Sequence, residues 1–248
     1  MSSVITTPQA LFEAAKKQIP YPENHKMVHM PTLKTIGFFP GGTGLWGGNG
    51  NLADKDVLIL GQDFGNQATY EAFEANEDDK TARSEDPNVN ATWRNLLKLL
   101  KDLNIDPDRC FFSNVFMGLR SGNAQATGEY LKPRDAFYAE NLAFLKTQVE
   151  TIRPSLILLL GKQPVLALLT AFPGALHAWE GFNSMKDLLT DRGSIIEAKI
   201  LGKKVIVAAV IHPSLSTANR PKLFNGNPGK EISQLVDGIK RFRFPLGR

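Results

Sequence analysis

Three residues whose side chains can do chemistry stand where short apolar runs give way to turn residues. Asp63 follows the run Val57–Leu60 within Gly61-Gln62-Asp63-Phe64-Gly65. Asn114 lies at the end of the run Cys110–Val115, and His212 follows Val205–Ile211 within His212-Pro213-Ser214. A fourth run, Leu156–Leu160, ends in Gly161-Lys162-Gln163. A carboxylate can accept a proton or stabilise positive charge, an imidazole can donate a hydrogen bond near neutral pH, and an amide offers both a donor and an acceptor. Each also has a structural use: Asp63 can cap a turn, Asn114 can bond its own backbone, and His212 can begin a helix. Three such residues at three separate run ends favour a site over three coincidences.

The elements that must position them follow from hydrophobic spacing. The four apolar runs are short enough for buried strands, and the segments between them have helical periodicity: Trp93, Leu96, Leu97, Leu99, Leu100 and Leu103; then Phe137, Leu142, Leu145 and Val149; then Val165 to Leu169. A last helix is expected over 229–242. Strand and helix alternate four times, which implies right-handed crossovers and a three-layer α/β/α fold around a central, mainly parallel four-stranded sheet. Ile195 to Ile200, followed by Leu201-Gly202-Lys203-Lys204, reads as a hairpin that adds an antiparallel partner to the last strand. In an open parallel sheet, ligands bind outside the carboxyl ends of the strands, so Asp63, Asn114 and His212 can converge although they span roughly 150 positions.

Two segments resist this pattern. Residues 37–51 are glycine-rich with exposed aromatics, suited to a lid or a long connection. Residues 71–90 hold seven acids and two bases and read as a mobile insertion. By contrast, residues 199–248 carry ten Lys and Arg against two Asp and Glu. A polyanion would be drawn to the second region and repelled by the first, although the terminal cations equally suit a solvated helix end.

Bulk composition excludes several classes. A chain of 248 residues supports one sizeable domain. The single cysteine, Cys110, rules out an internal disulfide framework and any four-cysteine metal or iron–sulfur site, and it suits a reducing, cytoplasmic setting. No stretch approaches the ~20 apolar residues of a membrane span, and the N-terminus lacks the apolar core of a signal peptide. The four histidines, His25, His29, His177 and His212, are scattered, so no metal or cofactor is expected.

At the run ends the chain resembles the uracil-DNA glycosylase superfamily. Gly61-Gln62-Asp63 is similar to the opening of that family's water-activating motif, GQDPYH in its best-known form. His212-Pro213-Ser214-Leu215-Ser216 is similar to its second signature, of the HPSPLS type, with Arg220 and Phe224 following. Asn114 matches the strand-end asparagine that reads uracil. The resemblance extends over residues 55–242 as the core of a single domain, with residues 1–54 forming an N-terminal helix and the glycine-rich loop. Phe64 replaces the motif's proline, Gly65 replaces its tyrosine, and the second signature lacks a proline between Ser214 and Leu215. The single cysteine sets the chain apart from the iron–sulfur branch, and no one branch matches throughout.

The resemblance implies that Asp63 orients water and stabilises a cationic sugar, while His212 donates to the departing base. It places Gln62, Phe64, Gly65, Phe73 and Asn114 around the base, Phe73 being the preferred stacking platform over Phe64 and Tyr70. It assigns Ser214, Leu215, Ser216 and Arg220 to DNA, with Leu215 as the wedge that enters the base stack. The implied partner is DNA carrying uracil or a related lesion, met by a monomer without a cofactor. Two other readings stay open: a non-catalytic or RNA-directed relative, and a nucleoside- or nucleotide-metabolising α/β enzyme. The second is weakened by the absence of GxGxxG after a strand and of GxxxxGK[ST] anywhere.

Overall fold

A computed structural model of the chain describes residues 5–21, 26–30, 51–74, 91–123, 135–227 and 229–244. Its elements begin with α1 (Pro8–Gln18), β1 (Met27–Val28), β2 (Val57–Gly61), α2 (Gln67–Glu74) and α3 (Ala91–Asp102). The middle of the chain supplies β3 (Cys110–Asn114), β4 (Leu119–Arg120), α4 (Ala136–Ile152), β5 (Leu156–Leu160) and α5 (Lys162–Ala171). The last elements are β6 (Ile195–Ile200), β7 (Lys203–Val210), α6 (Pro213–Leu223) and α7 (Lys230–Arg241).

The central sheet has the order β3-β2-β5-β7-β6. Its first four strands are mutually parallel, and β6 pairs antiparallel with β7. The count is five rather than four because the hairpin lays β6 along the edge. Alternate residues of each strand face opposite sides, as pleating requires. Leu58, Leu60, Phe111, Ile157, Leu159 and Val207 join one buried cluster with α1, α4 and α5. Val57, Ile59, Phe112, Leu158 and Ala208 join a second cluster with Leu96, Leu99 and Leu100 of α3 and Leu235 and Ile239 of α7. The result is the three-layer α/β/α arrangement, with β2, β3 and β5 buried along their whole length and β7 buried from Val205 onward. At Gly238 of α7 a Cβ would lie 2.2 Å from Ile195 Cγ2, so the absence of a side chain there sets how closely α7 approaches β6.

Three elements differ from expectation. Helix α2 runs into the start of the acidic segment, while residues 75–90 lie outside the described part, as do residues 37–50 of the glycine-rich loop. A two-residue ladder joins β1 to β4, pairing Met27 with Arg120 and Val28 with Leu119; strands so short leave no periodicity to read. The last parallel strand stops at Val210 because the N–H of Ile211 is taken by a side chain, Glu231 Oε1, at 2.8 Å. No helix among the described residues is long and apolar enough to cross a membrane.

Candidate active site at the carboxyl edge of the sheet

From β2 the chain crosses to β3 on one side, and β5 then takes the other side of β2. The connections diverge between β2 and β5, and such a switch point opens a crevice at the carboxyl edge. Asp63 stands just past β2 on this edge. Asn114 ends β3 in register with Gly61, and His212 follows β7, which pairs with β5 through Leu160 and Val210.

Asp63 is held on both oxygens. The Gly65 N–H donates to Oδ1 at 2.8 Å and Gln62 Nε2 donates to Oδ2 at 2.9 Å. The side chain is only 4% exposed, and Arg120 Nε forms an ion pair with Oδ2 at 3.3 Å. Closing this turn puts Gly65 at φ +90°, a conformation open to glycine and strained for other residues. No described atom lies within 4 Å of the Cβ that a side chain at Gly65 would add. Gln62, expected at the base, therefore spends an amide hydrogen on its neighbour. Phe64 turns inward, is 1% exposed within the core, and offers no free face for stacking.

Asn114 is fully buried, and α4 fixes its surroundings with two amides seven residues apart, two turns along one helix face. Gln148 donates from Nε2 to the Asn114 carbonyl at 3.2 Å and accepts from the Ser113 hydroxyl. Asn141 accepts the Met117 N–H at 2.6 Å and donates to the Phe137 carbonyl at 2.7 Å. Both amides are wholly buried, and their main use is to hold the backbone around the strand end.

His212 caps the N-terminus of α6. The Ser214 N–H can only donate, and it lies 3.3 Å from His212 Nδ1, with Ser214 Oγ 2.8 Å from the same atom. Nδ1 therefore accepts, and in the neutral ring the proton sits on Nε2. Burial pushes the imidazole below its ordinary pKa, while the nearby Asp63 carboxylate pulls it part of the way back. Gly161, at φ +93°, sits where an added Cβ would lie 3.5 Å from His212 Cβ. The start of α6 is held from a second direction by Asn95 of α3, whose Nδ2 donates to the Pro213 carbonyl at 2.8 Å.

Of the residues expected at DNA, Ser214 and Leu215 are exposed, Leu215 at 53%. Ser216 and Arg220 each have a partner within the protein. Ser216 is buried and its hydroxyl donates to the Pro213 carbonyl at 2.9 Å. Arg220 Nε donates to Glu231 Oε2 at 2.5 Å, and Glu231 is fully buried. The pair orients the guanidinium through Nε, and its remaining N–H donors are not part of that bond. Tyr70 lies half-buried on α2 against the core, and the side chain of Phe73 lies outside the described part.

Sequence reasoning missed Arg120, Glu231 and Gln148. Arg120 left no signal, because its link to Asp63 is purely tertiary. Glu231 left one: it falls on the same face of α7 as Leu235, Gly238 and Ile239, an apolar face where a lone acid needs a partner. Among the described residues, no group of three or more His, Cys, Asp or Glu side chains could hold a metal ion. A groove at the opposite edge of the sheet, lined by Val149, Arg153, Leu201 and Val205, contains none of the candidate residues.

No curated protein matches the chain. A family model does: that of the Uracil DNA glycosylase superfamily, over residues 48–235, about three quarters of the chain. The match runs through β2, β3, β5 and β7 and includes Asp63, Asn114 and His212. With a three-layer fold that gathers these residues on one sheet edge, the chain belongs to the uracil-DNA glycosylase superfamily.

Proposed function

We propose that this protein is a DNA base-excision glycosylase that hydrolyses the N-glycosidic bond of uracil or a related base after the nucleotide is flipped from the helix. The observation that carries this reading is the pairing of a nearly buried, ion-paired carboxylate, Asp63, with an imidazole, His212, whose proton sits on Nε2 and whose charged form burial disfavours. Breaking the bond leaves positive charge on the sugar and negative charge on the base. Asp63 stabilises the first and orients the attacking water. The His212 Nε2–H serves the second as a donor that strengthens while charge develops on the base oxygen. Such chemistry requires the base outside the stack, and the Asn114 amide is suited to its donor and acceptor edge.

A second reading, a relative that binds nucleic acid without cleaving it, rests on Arg120, whose charge beside Asp63 offsets part of the field that would stabilise the sugar cation. One assay separates the two. Single- and double-stranded oligonucleotides holding one uracil, one hypoxanthine or one mismatched thymine are incubated with protein and treated with alkali. Excision yields strand breaks, whereas binding alone yields a gel shift. Asp63→Asn keeps the side chain's shape and removes its charge, and should lower the rate per folded molecule by ~10²- to 10⁴-fold with DNA binding near that of the wild type, while the melting temperature also falls because the Arg120 guanidinium loses its anion. A near-normal rate in the folded variant would sink the assignment of Asp63; a lower melting temperature at an unchanged rate per folded molecule would make it a structural residue.

A further inference from the structure

Arg120 reaches Asp63 from an element the motifs do not include. Its backbone is fixed from two sides: it pairs with Met27 across the β1–β4 ladder, and it bridges to Asn66 while its N–H donates to the Gly65 carbonyl at 2.8 Å. Those bonds tie β4 to the turn after Asp63 without help from the side chain. The guanidinium is nonetheless kept in a nearly buried place, 15% exposed, against a carboxylate that is 4% exposed. Holding a cation there is costly unless a partner compensates, and the compensating anion is Asp63. At 3.3 Å the contact is longer than a charge-assisted hydrogen bond, so the attraction is mainly that of two charges and tolerates small movements.

The carboxylate is thus gripped by a backbone N–H on Oδ1 and by an amide and a guanidinium on Oδ2. Asp63 follows the end of β2, where regular strand bonding no longer sets the side chain's direction. We propose that Arg120 is a positioning residue for Asp63, holding the carboxylate plane in the orientation that the hydrolytic step needs. This rests on the glycosylase reading. On this basis the charge that would weaken a lone carboxylate is the means by which its geometry is fixed, and Arg120 acts through Asp63 rather than on the DNA.

The test is a double-mutant cycle on the full chain, using the base that the wild-type protein excises best from an oligonucleotide. Arg120→Met keeps an unbranched apolar stem and removes the guanidinium and its charge. Its single-turnover rate should fall on the order of ten- to a hundredfold, with the substrate concentration at half-maximal rate changed less than about threefold. Arg120→Lys, which keeps the charge and loses the planar fork, should recover part of the loss. In the Asp63→Asn background, Arg120→Met should cost nothing more. An equal loss in both backgrounds would overturn the proposal, as would a change confined to the concentration dependence or a normal rate. If Arg120→Met fails to fold by thermal melting, Arg120→Lys carries the same cycle. A wild-type protein that excises none of the bases overturns the glycosylase reading and this proposal with it, whereas an active wild type with an unimpaired Arg120→Met removes the positioning role alone.

Discussion

At the scale of single residues, Gly65 is used through its backbone. Its N–H holds Asp63, its carbonyl receives the Arg120 N–H, and its φ of +90° closes the turn. The space where a side chain would begin is clear of described atoms. The family's best-known branch has at this place a tyrosine, whose ring blocks a 5-methyl group, so Gly65→Tyr should raise the preference for uracil over thymine. One methyl is worth about 1 to 3 kcal/mol in such a pocket, and the change should appear as a rate ratio. The positive φ adds roughly 1 to 2 kcal/mol of strain for any side chain, which Gly65→Ala measures without the ring. Comparing the two variants' uracil-to-thymine ratios isolates the ring, and equal ratios would place the steric gate elsewhere.

At the scale of elements, α6 is anchored at its first turn and again at Arg220. The Ser214 N–H bonds His212, Asn95 grips the Pro213 carbonyl, and Ser216 closes back on the same carbonyl, so Leu215 is displayed from a rigid base. Half of Leu215 is exposed, and an exposed large apolar residue between two serines invites a role. If it enters the base stack, Leu215→Ala should slow excision from duplex DNA more than from single strands, since only the duplex charges an unstacking cost of a few kcal/mol. Matching losses on both substrates would return Leu215 to an ordinary surface residue. The elements themselves were readable because β2, β3, β5 and β7 are continuous apolar runs and the intervening helices keep a clear stripe. What the sequence hid is cross-element polar pairing: Gln148 with Ser113 and Asn114, Asn141 with Met117, and Asp63 with Arg120 each join positions whose proximity exists only after the sheet has formed. Arg220 likewise has a buried partner, Glu231, which the apolar face of α7 could have suggested.

For the whole molecule, the site and the stability of the fold are linked through His212. Its folded-state pKa lies below the ordinary value of 6.5, chiefly from burial. As pH falls below that value, the unfolded chain binds a proton that the folded ring resists, so unfolding is favoured by acid and the stabilisation present above the window is lost within it. The melting temperature of the wild type should therefore fall more steeply than that of His212→Gln between about pH 7 and about pH 5. Parallel curves would mean that the ring gains its proton in the folded state at no cost. With a buried, neutral ring in the field of the Asp63 carboxylate, the chain trades acid tolerance for a donor of fixed orientation, a local cost that proteins concentrate at functional sites.

Glu231 gives the molecule an order in time as well as in space. Its two oxygens join the N–H that precedes His212 to the arginine of α6, yet it lies on a helix that follows every strand of the sheet in the sequence. On a ribosome, the strand ends bearing Asp63 and Asn114 emerge first, and His212 follows while the Ile211 N–H and the Arg220 guanidinium still lack this carboxylate. The segment that carries His212 and Leu215 should lock only when α7 docks, so a nascent or prematurely ended chain would hold the residues of the site without their final arrangement. Helix α7, charged along its outer face, is the clasp whose docking completes the arrangement around His212.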